Sequence, residues 1–515
     1  MNRYTLFIAF VVSLGGFLFG FDAGIISGVM SYAGPEFLLD VGQTGWVVSS
    51  PSFAAMLTML VAGRLSDRIG RKKILLVVAF LYAFSAVTSA LATGYTMLWI
   101  TRMIGGIAFG AALILAPTYI AEVSTAKNRG KLVSIQQLNI VFGFFAAFLC
   151  NYFLNKMNVE GSSWLTDETV WRWMLGLEFL PAILYFLFLF FVPKSPRWLY
   201  LNGYKEEGKK ILNRLYGEEE SSLAISSIEE SLAKGKGMAN VKLKELWKPA
   251  LRFIVFVGLT VGILQQATGI NAIYFYATSI FKQTGIGTNA AFASGVLMSS
   301  ITVVLTIIAM FLIDRMGRRP LLIWGIAGIA ISLLVCSYSF YQATYTLDSS
   351  EISSFAFLEA NQKEALLRLS DQTFDSDVTF KTTVISTIGE EAFADNEGAL
   401  LEAATTMNAQ LALIGILGFI ACFAFSLGPV MWVMLSELFP NRYRGLAIGT
   451  IGFVNSFVSW LVQQVFPWEL ANWGAGTTFL VFGVLGVIGF FLFLKILPET
   501  KGKTLEEIEQ ELASG

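Results

Sequence analysis

The sequence predicts an all-α membrane protein in which twelve transmembrane helices form two similar six-helix bundles. The first observation is composition, because 55% of the 515 residues are hydrophobic and the mean hydropathy is +0.64. Only 14% of the residues are charged, against about 25% in soluble domains. The second observation is the recurrence of apolar runs of about 18 residues or more. The third is an internal repeat.

Twelve apolar segments are long enough to cross about 30 Å of hydrocarbon as helices that rise about 1.5 Å per residue. They are hydrophobic on all sides, which is typical of membrane spans rather than of amphipathic surface helices. We number them spans 1 to 12, near residues 5–29, 45–62, 74–93, 97–121, 132–154, 172–192, 251–281, 289–313, 320–343, 407–435, 445–466 and 477–497.

Basic and acidic residues alternate between successive loops. The basic residues follow spans 2, 4 and 8 and comprise Arg64, Arg68, Arg71, Lys72, Lys73, Lys127, Arg129, Lys131, Arg315, Arg318 and Arg319. The intervening loops carry Glu36, Asp40, Glu160, Asp167 and Glu168. Because basic loops stay in the cytoplasm, we expect a multi-pass protein of the cell membrane with both termini cytoplasmic.

Two motifs occur twice, which indicates two related halves. Asp67-Arg-Ile-Gly-Arg71 returns as Asp314-Arg-Met-Gly-Arg318, and Glu122…Arg129-Gly130 returns as Glu437…Arg444-Gly445. The second pair is spaced more widely than the first, so the second half must contain extra sequence. Two similar halves predict a binding site at their interface near the middle of the membrane.

The chain divides into a bundle at 1–192, a cytoplasmic helical linker at 193–249, a second bundle at 250–500 and a cytoplasmic tail at 501–515. In the linker we expect helices at 205–215 and 222–234, the second with an apolar face that includes Leu223. The extra sequence is the segment 344–406, which holds twelve acidic and three basic residues. Its length predicts either a small extracellular cap or a partly disordered loop.

The composition disfavours several classes of function. The chain has no histidine, so no imidazole serves as catalytic base, proton relay or metal ligand. Cys150, Cys336 and Cys422 lie in apolar segments, which makes a disulfide framework unexpected. The net charge of −1 gives no indication of nucleic acid as a partner. We therefore expect a monomer in the lipid bilayer without cofactor, metal or enzymatic activity.

Three ionisable residues lie inside apolar segments: Asp22 in span 1, Arg102 in span 4 and Glu178 in span 6. A carboxylate at that depth costs roughly 3 kcal/mol on insertion scales. Two acids and one base leave one negative charge in excess, which protonation of one acid would cancel. The pattern therefore predicts a proton-carrying site, with a static ion pair that fixes helix register as the alternative.

Several motifs in one order resemble the sugar porter family of the major facilitator superfamily. They are Gly63-Arg-Leu-Ser-Asp-Arg-Ile-Gly-Arg-Lys72, Pro193-Lys-Ser-Pro-Arg-Trp-Leu199, Gln265-Gln-Ala-Thr-Gly-Ile-Asn271, Gly428-Pro-Val-Met-Trp432, Glu437-Leu-Phe-Pro-Asn-Arg-Tyr-Arg-Gly445 and Pro498-Glu-Thr-Lys-Gly502. The resemblance covers nearly the whole chain apart from 344–406. It implies the major facilitator fold and sugar transport by alternating access.

Span 7 places Gln265, Gln266 and Asn271 in an apolar helix, where their amides suit the hydroxyl groups of a neutral polyol. On an ideal helix Gln266 and Asn271 lie about 140° apart, so we expect the helix to loosen at Gly269. Amides that bond only to neighbouring helices are the alternative. The resemblance adds Phe19, Gln137 and Trp432 as sugar contacts. It also draws attention to Asn455, which follows the usual span-11 contacts of the family.

The chain departs from the family at several positions. Thr302 stands where an amide is common in span 8, and Ile451-Gly452 replaces a polar residue and tryptophan in span 11. Phe275-Tyr276 replaces a pair of tyrosines at the gate, and Lys194 replaces an acidic residue. The changes at the sugar site leave the identity of the sugar open.

The resemblance also implies roles for the charged residues. Family members driven by protons have aspartate at the position of Asp22, and Arg102 and Glu178 match its partners. The repeated charges imply ion pairs that close the cytoplasmic face: Asp67, Arg68, Arg71, Glu122, Arg129, Asp314, Arg315, Arg318, Glu437 and Arg444. The alternative is that these arginines only fix topology.

We therefore expect a symporter that imports a monosaccharide, a hexose or a pentose, together with a proton. A facilitative sugar uniporter and a transporter of a polyol such as myo-inositol are the alternatives. A sugar receptor that binds without transport is a more remote one, since such receptors usually have a longer tail.

Overall fold

The computed structural model describes residues 3–125, 128–235 and 243–501, and most of them are helical. The first six spans are Arg3–Glu36, Val41–Ile69, Arg71–Ala90, Tyr95–Glu122, Arg129–Val159, and Asp167–Gly176 continued by Phe179–Leu189. Spans 7 to 10 are Pro249–Ala267 continued by Ile270–Phe275, Thr288–Met316, Arg318–Tyr341, and Ala409–Phe425 continued by Leu427–Leu438. Spans 11 and 12 share the helix Asn441–Ile496.

The shared helix Asn441–Ile496 contains 56 residues and has a break at Gly474, where φ is 76° and ψ is 167°. A straight helix of that length would extend roughly 84 Å, far more than a bilayer. The segment therefore crosses twice, and the prediction of twelve spans in an all-α membrane protein is confirmed. The connection expected at 467–476 is a kink at Gly474, because the helix continues up to that residue.

Three other spans are interrupted within the membrane. Span 6 pauses at Leu177 and Glu178, span 7 at Thr268 and Gly269, and span 10 at Ser426. A broken helix frees backbone groups that lipid cannot satisfy, so such breaks occur where protein or water surrounds them. The interruptions therefore mark the interior of the bundle.

Small residues allow close packing within the first half. A Cβ atom added to Gly106 in span 4 would lie 2.3 Å from the backbone oxygen of Pro51, and one added to Gly110 would lie 2.6 Å from Cα of Ala55. Neither position has room for a side chain, so spans 2 and 4 approach backbone to backbone. This is the packing that small residues provide between helices in lipid.

The bundle has two chemically different ends. We call the end with Asp67, Arg71, Arg318 and the linker the basic end, and the end with Asp40 and Asp167 the acidic end. Near the acidic end Asn155 Nδ2 donates to Asn289 Oδ1 at 2.7 Å, which joins the halves. Span 2 also contacts span 11 from Gly42 to Met59. Among the described residues, no hydrogen bond joins the two bundles across the basic end.

The linker is helical, as expected, with helices Pro196–Leu201, Lys205–Tyr216 and Glu218–Gly235 and a 3₁₀ turn Leu243–Trp247. The apolar face expected on the helix Glu218–Gly235 is wrong at Leu223, which is 71% exposed. Residues 502–515, most of the expected tail, lie outside the described residues.

The segment 344–406, which we call the insert domain, is folded rather than disordered. The strands Thr344–Tyr345 and Thr405–Thr406 pair antiparallel and close the domain at its base. Four helices lie between them: Ser349–Ser354, Ala360–Leu367, Asp377–Ile388 and Glu390–Ala404. Tyr345, Leu366, Phe380 and Leu400 are at most 2% exposed and form its own core. Asp377 also accepts a hydrogen bond from the backbone N–H of Ala475 at 3.3 Å, which attaches the domain to the start of span 12.

Candidate functional site

The break in span 7 brings two amides of the predicted site together. Gly269 has a left-handed backbone with φ 88° and ψ 14°, and a Cβ there would lie 2.6 Å from the ring of Phe482. Glycine is the residue that adopts this conformation without strain. As a result Asn271 Nδ2 donates to Gln266 Oε1 at 3.0 Å. The predicted loosening of span 7 at Gly269 is confirmed.

Behind these two amides lies a supporting layer. Gln265 is 4% exposed, donates to the backbone oxygen of Leu427 at 2.9 Å and accepts from Asn455 Nδ2 at 2.8 Å. Asn455 also donates to the backbone oxygen of Gly262 at 2.8 Å. Gln266 and Asn271 are only half-buried. Gln265 and Asn455 therefore form a buried layer that is held by hydrogen bonds. Gln266 and Asn271 are more accessible and leave polar atoms available to a ligand.

Three further predicted contacts lie on other spans. Trp432 in span 10 is 43% exposed, and a Cβ on Gly452 would lie 3.7 Å from its indole ring. Phe19 packs on Phe109 with ring centroids 4.9 Å apart. Gln137 is half-buried and has no hydrogen bond to any described residue. Among the described residues, no hydrogen bond joins Gln137 to the span-7 amides.

Residues at or beside the positions that depart from the family make defined contacts in the fold. The hydroxyl of Thr302 lies 2.5 Å from that of Tyr274. The hydroxyl of Tyr276 donates to the backbone oxygen of Gln463 at 3.0 Å. Gly452 leaves open the face of Trp432 that a larger residue would cover.

Sequence reasoning missed three polar residues that continue the amide cluster. Asn271 Nδ2 donates to Ser459 Oγ at 2.6 Å, and Gln463 Nε2 donates to the same oxygen at 2.8 Å. Ser52 in span 2 then donates to Gln463 Oε1 at 2.9 Å. Asn455, Ser459 and Gln463 are four residues apart, so they share one helix face. That spacing was a signal for two of the three, but nothing in the sequence pointed to Ser52.

The predicted charge pair forms inside the first half. Arg102 donates through two nitrogens to the two oxygens of Asp22, at 3.1 and 3.4 Å, and through Nε to the backbone oxygen of Val47 at 3.2 Å. Arg102 is 2% exposed and Asp22 8%. The planar guanidinium suits this bidentate geometry. The pair is thus buried and held from two spans.

Glu178 lies at the break in span 6 and is 4% exposed. It is within electrostatic range of both Asp22 and Arg102. No hydrogen bond to another described residue involves its carboxyl group. The structure therefore brings two acids and one base together, as the sequence predicted.

Two equivalent clusters lie at the basic end. In the first half Arg71 pairs with Asp67 at 2.6 Å and with Glu122 at 3.0 Å, and Ser195 Oγ donates to Glu122 at 2.5 Å. In the second half Arg318 pairs with Glu437 at 2.8 Å, and Thr500 donates to Glu437 at 2.5 Å. Among the described residues, neither cluster contains residues of both bundles.

The remaining gate candidates do not complete the expected set of ion pairs. Within the described residues, Arg68 and Arg315 have no acidic partner, and Arg444 donates instead to the backbone oxygen of Phe439 at 3.2 Å. The side chains of Arg129 and Asp314 lie outside the described parts of the structure. The assignment of these residues to a cytoplasmic gate stays a prediction.

The two halves differ at one motif position. Glu499 accepts from the backbone N–H groups of Arg318 at 3.1 Å and Arg319 at 3.2 Å, and so caps the start of span 9. Lys194 occupies the equivalent position of the first half and pairs instead with Glu207 of the linker at 3.1 Å. Among the described residues, the start of span 3 thus lacks the acidic cap that span 9 has.

Two related six-helix bundles with interrupted spans and polar side chains between them define a secondary transporter. The family model described as "Sugar (and other) transporter" matches residues 8–358 and 388–512. The chain therefore belongs to the sugar porter family of the major facilitator superfamily, and it is a sugar transporter rather than an enzyme.

Named relatives agree with this assignment. The chain is 32% identical to the arabinose-proton symporter of Bacillus subtilis, over 98% of this chain and 95% of that protein. It is 30% identical to the D-xylose-proton symporter of Escherichia coli, over 99% and 96% of the two chains. The major myo-inositol transporter of Bacillus subtilis is 32% identical over 98% and 93%.

Solved structures of the Escherichia coli xylose transporter share the fold. Its inward-open form is 29% identical and superposes with a TM-score of 0.74 over 98% of this chain and 99% of that one. Its complex with 6-bromo-6-deoxy-D-glucose is 30% identical and superposes with a TM-score of 0.69 over 99% of each chain.

Proposed function

We propose that this protein imports a monosaccharide, a hexose or a pentose, by symport with a proton. The observation that carries the proposal is the buried Asp22–Arg102 pair, with Glu178 as a second buried acid. An ionised carboxylate and a guanidinium attract each other strongly in a medium of low polarity. Protonation of Asp22 would release Arg102, so the pair has two states that differ by one proton.

The sugar binds between the halves in this proposal. Gln266, Asn271 and Trp432 contact it, Gln265 and Asn455 hold the amides in place, and Phe19 and Gln137 complete the site from the first half. Half-buried amides offer both donors and acceptors to sugar hydroxyls. An exposed indole in a membrane span supplies a flat face for a pyranose ring.

The basic end is cytoplasmic in this proposal, by the distribution of basic loops. The clusters around Arg71 and Arg318 act as the cytoplasmic gate. Both clusters are formed within their own half while the halves are joined near the acidic end, and in this proposal they meet the opposite half when the basic end closes. Alternating access then follows from rocking of the halves about the bound sugar.

Competition in proteoliposomes tests the proposal. Uptake of radiolabelled D-xylose, L-arabinose or D-glucose is measured with and without an inward proton gradient, and unlabelled sugars and myo-inositol compete in excess. We expect one monosaccharide to be accumulated only when the gradient is present, and an uncoupler to abolish that accumulation. Uptake that does not depend on the proton gradient would favour a uniporter.

A polyol substrate is the second candidate, because the myo-inositol transporter is as similar to this chain as the arabinose symporter. The same competition experiment separates the two. Displacement by myo-inositol at concentrations at which pentoses and hexoses do nothing would establish the polyol.

A further inference from the structure

Two serine–glutamine hydrogen bonds join span 2 of the first half to span 11 of the second. Ser52 Oγ donates to Gln463 Oε1 at 2.9 Å, and Ser49 Oγ donates to Gln464 Oε1 at 2.7 Å. The two bonds have the same chemistry and connect the same two spans. They differ in what the glutamine contacts through its other end.

Gln463 continues into the second half. Its Nε2 donates to Ser459 Oγ at 2.8 Å, and that oxygen also accepts from Asn271 Nδ2 at 2.6 Å. We call the chain Ser52–Gln463–Ser459–Asn271 the relay. Gln464 instead donates to the backbone oxygen of Gly42 at 3.3 Å, so its hydrogen bonds return to span 2. Within the described parts of the chain, the relay is the only chain of hydrogen bonds that connects the first half to the amide cluster.

Because the relay is buried, loss of the hydrogen bond from Ser52 affects the orientation of Gln463 and Ser459. Gln463 is 0% exposed and Ser459 is 7% exposed, so solvent does not replace a lost partner easily. Without the Ser52 hydroxyl, Gln463 Oε1 is a buried acceptor without its donor, and such groups are costly. Rotation of the Gln463 amide would relieve this, but it would also withdraw the donor that positions Ser459.

We propose that Gln463 and Ser459 are positioning residues through which the sugar site responds to closure of the acidic end. While the halves are joined there, Ser52 fixes Gln463, Gln463 fixes Ser459, and Ser459 fixes the direction of the Asn271 amide. When the halves part, Ser52 leaves and the orientation of Asn271 relaxes. This inference rests on the proposed function, because it assumes that Asn271 contacts the sugar.

Because of the relay, the affinity for sugar differs between the state that is open to the basic end and the state that is open to the acidic end. With the acidic end closed, the site is reached from the basic end and the relay is intact. With the acidic end open, Ser52 has already separated from Gln463, so its hydroxyl contributes nothing to binding. By linkage, sugar that binds the oriented amide also favours closure. One net hydrogen bond corresponds to about a fivefold change in affinity.

The test compares Ser52→Ala with the matched control Ser49→Ala. Each purified full-length variant is reconstituted in one orientation, and counterflow is measured with whichever of D-xylose, L-arabinose and D-glucose the unaltered protein exchanges fastest. We expect Ser52→Ala to raise the half-saturation concentration about fivefold at the basic-end face and to leave it unchanged at the other. Ser49→Ala should leave the ratio between the two faces unchanged.

A double variant checks that the effect travels through the relay. Ser459→Ala should show the same one-sided increase, and Ser52→Ala combined with Ser459→Ala should be no worse than the single change, because both interrupt one chain. The inference would be overturned if the half-saturation concentration rose equally at both faces, or if the effects of the two substitutions added. The same one-sided increase in Ser49→Ala would also overturn it. Absence of counterflow by the unaltered protein with every sugar would instead contradict the proposed function.

Discussion

At the scale of single residues, the proposed proton coupling depends on an imbalance of charge within the first half. Asp22 and Glu178 share one cation, Arg102, and all three are at most 8% exposed. Membrane helices retain such groups when they pair or carry ions. The sequence predicted this group because charges stand out in apolar segments.

Replacement of Asp22 by asparagine tests the group directly. Asp22→Asn keeps the size of the side chain but removes the titrating carboxyl group. The side chain at position 22 can then no longer bind and release a proton. We expect accumulation against a gradient to fall to simple equilibration, whereas counterflow persists. Radiolabelled sugar uptake and exchange in proteoliposomes measure the two.

The control for this change is Asp375→Asn, which alters an exposed aspartate of the insert domain without hydrogen bonds among the described residues. It should leave both measurements unchanged. Undiminished accumulation by Asp22→Asn would show that the coupling assignment is wrong.

A second residue-scale prediction concerns Glu397 of the insert domain. Burial alone would raise the pKa of Glu397, but Lys381, whose ammonium lies 2.8 Å away, outweighs burial with help from Lys282, and the pKa is lowered. Stabilisation by a carboxylate of lowered pKa is complete above its unfolded pKa, about 4.3. It disappears as the pH falls through the folded value.

We therefore expect acid to loosen the insert domain less in Glu397→Gln than in the unaltered protein, because the variant has no such contribution to lose. Amide hydrogen exchange of residues 344–406, compared between the two proteins at each pH from 6 to about 3, measures this. The exposed Glu364→Gln is the matched control. Parallel pH dependences in all three proteins would refute the prediction.

Some polar residues of the site could be predicted from the sequence and others could not. Gln266 and Asn271 were predicted because amides are conspicuous in an apolar helix next to a glycine. Ser52 was not, because a lone serine in a span can bond to its own helix. Its partner Gln463 lies 411 residues away in the chain, so only the packing of the halves joins them.

At the scale of whole elements, the break in span 7 brings the amides of the candidate sugar site together. The break of span 7 followed from geometry, since Gln266 and Asn271 could not otherwise face one ligand. The break at Ser426 was not predicted, whereas Gly474 lies in the connection that was expected between spans 11 and 12. Gly474 is stabilised by tertiary structure, because Asp377 of the insert domain accepts from the first N–H beyond it.

Replacement of Gly269 by alanine should disrupt the site. A left-handed backbone costs an L-residue roughly 1–2 kcal/mol, and the new methyl group would meet the ring of Phe482. We expect sugar affinity to fall at least about tenfold when the dissociation constant is measured by titration of purified protein.

The control for that change is Gly449→Ala in span 11, where a Cβ would meet no atom within 4 Å. It should bind sugar as the unaltered protein does. Unchanged affinity in Gly269→Ala would mean that the break of span 7 is not required for the site.

At the scale of the whole molecule, the fold was predictable and the conformational state was not. Twelve spans and two related halves follow from hydropathy and from the repeated Asp67 and Asp314 motifs. Which end is closed depends on a small free-energy difference between two packings of the same helices. The structure shows the halves joined near the acidic end, with the ion pairs of Arg71 and Arg318 contained within separate halves.

The insert domain adds a feature that hydropathy could not resolve. Its acidic composition was compatible with disorder, yet a core around Phe380 and Leu400 makes it a folded unit. The family model does not cover residues 359–387. The core residues are too widely spaced in sequence for a pattern to reveal them.

The most direct test of the account is whether the sugar carries a proton with it. The purified protein is reconstituted in sealed vesicles that contain a pH-sensitive dye and weak buffer, without an initial pH gradient, and sugar is added outside. The account predicts that the interior acidifies as the sugar enters, and that Asp22→Asn abolishes the acidification. Sugar entry by the unaltered protein without any change of internal pH would contradict it.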